Sequence, residues 1–419
     1  MYRIFVFIVM LLVLFPSHTF AATEKAAFIR DGNVWTWIDG KEKQITTNGK
    51  VGMTPKWSYD GKWIVYNIED KKEQMEVWAY NVETGKKKMI FYNGFSPSWA
   101  PNKNVIAFQD AGILNISDMK QFYNIATGVS SYTWLPDGSG FLLSAAGTLK
   151  PDGWSGATLF TKKVSSYQNI ELFGGVDLFF TLPKEIGIGD KKIIAVYAED
   201  FHFSPSNKWI SFVVSPTASW SMDSNMLCVI SQDGKDFEVL DEIVLEVGKP
   251  KWAPGSDTIA FIAGGGRLVF GFKNKDLKIR EMFVNGSYTP PKYADFDFDW
   301  ITDKKIVTSR MEEKEWTNDF SKHPLPSLYT VNIETNKQKE ITNPPKGYGD
   351  YHPQYVESIG KLVWFRGTSI ISQKRTLWKA NPDGTGAKEW MKNVDDIVFY
   401  PALTGCKTPT SKLRGFREV

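Results

Sequence analysis

The sequence predicts an all-β fold: a single β-propeller of four-stranded antiparallel blades, eight of them. Three observations carry this. One short phrase of residues recurs along the chain, each copy is followed by a further hairpin without a helical period, and the chain ends hold complementary parts of one more unit.

The phrase is a polar-flanked aromatic, a turn, and an apolar strand. Its clearest copy is Pro55-Lys56-Trp57-Ser58-Tyr59-Asp60-Gly61-Lys62-Trp63-Ile64-Val65-Tyr66. Pro97-Ser98-Trp99-Ala100-Pro101-Asn102 leads into Val105-Ile106-Ala107-Phe108, and Tyr132-Thr133-Trp134-Leu135-Pro136-Asp137-Gly138 leads into Phe141-Leu142-Leu143. Phe203-Ser204-Pro205 precedes Trp209-Ile210-Ser211-Phe212, and Pro250-Lys251-Trp252-Ala253-Pro254 precedes Ile259-Ala260-Phe261. Degenerate copies surround Trp300 and Tyr355. Pro, Gly, Asp and Asn make the turns because they supply the backbone angles a tight reversal needs. The apolar runs are β-branched and aromatic, as strands prefer.

A second hairpin completes each unit. Val77 to Asn81 turns at Glu83-Thr84-Gly85 into Lys88 to Phe91; Leu328 to Asn332 turns at Glu334-Thr335-Asn336 into Lys339 to Thr342. A lone four-stranded unit leaves its faces bare, whereas a ring of them buries both. Residues 26–46 begin in mid-unit, and the missing innermost strand is read in Asp395 to Pro401, so the two termini are expected to share the blade that closes the ring. Seven repeats plus the shared blade make eight. Seven blades is the alternative, because residues 144–200 are irregular.

The expected domains are a signal peptide at 1–22, a propeller at 23–402 and a tail at 403–419. Arg3, the apolar run Ile4 to Phe15, the break at Pro16-Ser17 and the small Ala21-Ala22 have the layout of a secretory leader. The run is short for a spanning helix, so no stable membrane span is expected after cleavage; the rival reading is an uncleaved anchor. The protein is therefore placed outside the cytoplasm: secreted, periplasmic or associated with the cell envelope. Lys and Arg number 50 against 47 Asp and Glu, and this balance argues against nucleic acid, which needs a concentrated basic face. Of two cysteines, Cys228 lies in an apolar strand-like run and is expected to be a buried thiol, whereas Cys406 lies in the polar tail.

The phrase at 55–66 resembles the repeat of TolB-like, WD40-like (PD40-type) propellers, and the resemblance runs over roughly residues 24–402. TolB carries an α/β domain ahead of its propeller, and propeller peptidases add an α/β-hydrolase domain. Neither addition is found here, so the resemblance implies a propeller without its relatives' functional attachments.

Searches for chemistry return little. Gly153-Trp154-Ser155-Gly156-Ala157 lacks the last glycine of a nucleophile elbow and sits in a loop. Gly264-Gly265-Gly266-Arg267 has no helix after it and reads as a turn between Ile259–Ile262 and Leu268–Phe272. The histidines His202, His323 and His352 are far apart, so no metal set, cofactor or catalytic residue is assigned. Asp295-Phe296-Asp297-Phe298-Asp299-Trp300 alternates strictly, which puts three carboxylates on one strand face. On an innermost strand, Asp295, Asp297 and Asp299 would look into the channel, joined from other repeats by Asp200 and His202 and by His352 and Gln354. Two long insertions, 144–158 and 310–326, carry Trp154 and Trp316 as candidate partner contacts; the alternative is that each folds back on its own blade. The function expected is a non-catalytic exported scaffold that binds a protein or an envelope polymer through a loop face or the channel mouth. Its rivals are a sugar- or peptide-acting enzyme using Asp297 and Asp299, and a housekeeping role in the envelope with no distinct site.

Overall fold

The computed structural model describes residues 24–401, apart from 165–169, 173, 246, 267–270, 282–283 and 371–374. The leader at 1–22, the tail at 403–419 and Cys406 lie outside the described residues. Eight four-stranded antiparallel sheets form the propeller. Blade 1 joins Lys25–Arg30, Asn33–Ile38 and Lys41–Gln44 to the C-terminal strand Asp396–Phe399, which pairs with Lys25–Arg30. The termini therefore close the ring, as expected.

Blades 2 to 8 begin with Lys56–Trp57, Phe95–Trp99, Ser131–Trp134, Tyr197–Phe203, Lys251–Trp252, Tyr293–Thr302 and Gly349–Val356. First strands of neighbouring blades pack on one another, which places them innermost. The irregular stretch 144–200 resolves into the rest of blade 4, Thr158–Lys163 and Asp177–Thr181, with added hairpins Leu149–Lys150/Gly153–Trp154 and Glu185–Ile188/Lys191–Ile194. It adds no break in the ring, so the count is eight. Thr258–Ala263 pairs with Asp276–Glu281, and the apolar run expected at 268–272 lies largely outside the described residues.

The recurring aromatic has a physical role. In register it stands opposite the same apolar position in each blade: Trp57 with Ile64, Trp99 with Ile106, Trp134 with Phe141, Phe203 with Ile210, Trp252 with Ile259, Trp300 with Ile306, Tyr355 with Leu362. At four junctions its indole N–H donates to the preceding blade's innermost strand: Trp57 to Val398 O (3.3 Å), Trp99 to Lys56 O (3.0 Å), Trp252 to His202 O (3.1 Å) and Trp300 to Lys251 O (3.1 Å). An indole suits this task because it combines a large apolar body with one donor. Between blades 3 and 4 the tie passes to Tyr132, whose hydroxyl donates to Ala107 O at 2.9 Å. The first turns are also linked around the rim, Asn104 to Asp60 (2.8 Å), Asn102 to Asp137 O (2.6 Å) and the amide of Gly255 to Asp303 (2.8 Å). Between the blades lie apolar layers such as Phe28, Val363 and Phe365, or Phe212, Met226 and the buried thiol of Cys228.

Candidate functional site: the central channel

The residue just before each repeat aromatic lies on an innermost strand. In ring order these are Val398, Lys56, Ser98, Thr133, His202, Lys251, Asp299 and Gln354, and none of the eight is buried. The strands then bulge. In blades 3, 5, 7 and 8 the pairing register shifts between Phe95 and Ser98, Glu199 and His202, Asp295 and Asp297, and Tyr351 and Gln354. Ser96, Asp200 and His352 sit in three of these bulges with φ of 49°, 57° and 48°. A bulge re-aims side chains, and short polar residues tolerate the left-handed backbone it requires.

The result is two linked polar clusters. In the first, His352 Nδ1 lies 2.7 Å from Asp297 Oδ2, Lys251 Nζ donates to Phe298 O (2.6 Å) and Asp299 Oδ1 (3.3 Å), and the amide of Tyr355 donates to Asp299 Oδ2 (2.8 Å). In the second, Lys249 Nζ lies 3.1 Å from Asp200 Oδ1, and His202 Nε2 lies 3.4 Å from the same oxygen. Gly248 connects the two, since its amide donates to Phe296 O at 2.6 Å while Lys249 reaches Asp200. A Cβ at Gly248 would stand 2.5 Å from Asp297 Oδ1, so the close approach needs glycine.

The electrostatics follow from these contacts. Burial in the wall would raise Asp297, but the His352 bond and the charges of Lys251 and His352 outweigh it and hold the carboxyl below its usual range. Burial likewise opposes ionisation of Asp200, yet His202 and Lys249 pull it down to about 2. Lys251 loses hydration but gains the charges of Asp299 and Asp297, and its pKa rises. Lys56 differs: loss of hydration inside the ring, then the charge of Lys249, lowers it against the pull of Asp200. A cavity of about 420 Å³ opens beside Lys251, Asp299, Gln354 and Tyr355, and one of about 310 Å³ beside Asp200, Glu199 and Lys249.

Asp200, His202, Asp297, Asp299 and His352 thus gather in these two clusters on the innermost strands, and Asp295 does not. The bulge at Phe296 turns it to the face of Phe298 and Thr308, where it is fully buried in a two-pronged pair with Arg310 (Nε–Oδ1 2.8 Å, Nη2–Oδ2 2.9 Å). Blade 8 repeats the pair at Asp350 and Arg366. Trp316 folds back: its ring centroid lies 5.5 Å from Phe272 and 4.5 Å from His323. Trp154 is half-buried in its hairpin, opposite Leu149. The exposed tryptophan on that side is Trp220, at 68% exposure. Sequence reasoning missed it, and also missed Lys56, Lys249 and Lys251. The usable signal for Lys56 and Lys251 was their shared place in Pro-Lys-Trp, one residue ahead of the aromatic.

No family model and no curated protein matches the chain. Solved structures do. A eukaryotic initiation factor aligns over 90% of this chain and 88% of its own, at 11% identity and a TM-score of 0.56. The dihydro-heme d1 dehydrogenase NirN, in complex with DHE, aligns over 91% and 75%, at 13% identity and a TM-score of 0.54. TolB from Acinetobacter baumannii aligns over 91% and 67%, at 12% identity and a TM-score of 0.39. At such identities the likeness is one of fold, the β-propeller.

Proposed function

We propose that this chain is an exported, non-catalytic scaffold that holds a protein or a cell-envelope polymer on one face of the ring, at the channel mouth. The observation that carries the reading is where exposed apolar side chains gather. Loops between second and third strands, and links between blades, all open on the face where the inner strands begin. Trp220, Leu149, Tyr92, Phe95, Leu245 and Tyr348 lie there, each more than two-fifths exposed. Exposed aromatic and aliphatic side chains on the loops of a rigid frame support an interaction site on this face.

The enzyme alternative fits less well. A carboxylate pair working as acid and base needs one partner raised toward neutrality. Asp297 and Asp200 are both held down by basic neighbours, and Asp299 is occupied by Lys251 and the Tyr355 amide. The charged leader at 1–22 supports export.

The test is capture from envelope extract by the immobilised mature chain, beside Trp220→Ala, Trp154→Ala and Lys249→Glu, each checked for unchanged melting. One protein or polymer retained by the wild type and released at least tenfold by Trp220→Ala or Lys249→Glu supports the scaffold. Retention of nothing specific, or equal retention by all variants, refutes it.

A further inference from the structure

The opposite face carries a second, unrelated feature at the junction of blades 4 and 5. There the repeat aromatic is Phe203, in register with the tryptophans that tie four other junctions. Phenylalanine is smaller than tryptophan and has no N–H, so the carbonyl in the matching place, that of Thr133, receives no side-chain donor among the described residues. The linking of first turns is interrupted too. Asn207 and Asp137 face each other there, and no turn-to-turn hydrogen bond joins the two blades among the described residues, unlike blades 2 and 3 or 6 and 7.

A cavity of about 580 Å³ occupies this junction. Its walls are Leu135, Leu142, Phe179, Phe203 and Ile210, and the amides of Asn207 and Gln232 stand at its rim with the ammonium of Lys163. The volume lies within the usual range for small-ligand sites, roughly 300–1,000 Å³, and the mixture of apolar walls with a few polar groups is the usual lining. Two phenyl walls favour a flat aromatic guest, in stacked or edge-to-face contact. The rim amides offer carbonyl acceptors to a guest N–H.

We infer that this cleft is a binding site for an aromatic group bearing an N–H donor, an indole being the matched guest because indoles tie four of the equivalent junctions of the same ring. The site lies away from the channel and from the face assigned to the scaffold partner.

The probe is N-acetyl-tryptophanamide, followed by saturation-transfer NMR on the mature chain, with N-acetyl-leucinamide as control. Phe203→Trp fills the cleft from blade 5 with the residue four other junctions already use. Ser139→Phe fills it from blade 4, so a folding defect in one variant leaves the other informative. Expected is a signal for the tryptophan derivative alone, reduced at least fivefold in both variants while melting is unchanged. Absence of signal with the wild type, equal signal from the leucine derivative, or full signal in the folded variants overturns the inference.

Discussion

Arg310→Met is the substitution whose cost is best defined by the structure. Arg310 is 1% exposed and Asp295 is fully buried, and the guanidinium supplies two of the carboxylate's four hydrogen bonds; Thr289 and Thr308 supply the others at 2.6 and 2.9 Å. Removing the cation leaves a buried charge half-satisfied, which costs about 3–5 kcal/mol. For a ring of about 380 residues unfolding as one unit, at roughly 2.1 cal/mol/K per residue, that is a fall in Tm of roughly 4–6 °C. Asp295→Leu with Arg310→Met removes both charges and is expected to recover most of the loss, since apolar replacement of a buried pair is often neutral. Differential scanning calorimetry on the three proteins decides it. The reasoning is refuted if Arg310→Met costs below about 1 kcal/mol, the value of an exposed pair, or if the double variant melts no higher than the single.

Two further outcomes follow from the contacts. Trp300→Phe removes the donor to Lys251 O and strands that carbonyl between blades, so it is expected to destabilise by about 1–2 kcal/mol in urea unfolding, an effect Trp63→Phe, whose indole makes no such tie, does not share. Asp200 titrates at about 2 when folded against 3.8 in the free carboxyl, so its contribution is intact above pH 4 and lost as pH falls through 2. Melting curves across that window are expected to decline more steeply for wild type than for Asp200→Asn.

The fold was legible because one residue type performs one task at several positions. Four tryptophans of the phrase pack on the next strand and tie their blades to the one before, so the constraint repeats and the repeat is visible. The turns show for the same reason: Gly61 holds φ of 64°, and its would-be Cβ lies 2.6 Å from the Tyr400 ring, which joins the C-terminal strand to blade 2. The partner of Thr258–Ala263 was not legible, because apolar runs identify strands without naming their partners. Asp276–Glu281 is more polar than Leu268–Phe272 and is nevertheless the strand that pairs.

The channel was legible only in part, and the bulge explains the limit. Alternation assigns faces correctly while the pleat is unbroken, so Asp297 and Asp299 fall together, with His352 and Lys251 beside them. One extra residue, Phe296, reverses every side chain before it and sends Asp295 into the wall. The arginine opposite was the sign available in advance: Arg366 follows the apolar run Leu362 to Phe365, Arg310 holds the same place in blade 7, and each pairs with a carboxylate within its sheet. Reading the arginines first would have removed Asp295 from the channel and left its acidic residues matched by Lys249, Lys251 and His352. With basic partners on Asp200, Asp297 and Asp299, these carboxylates are held ionised by their neighbours, and the loop face becomes the first place to test for binding.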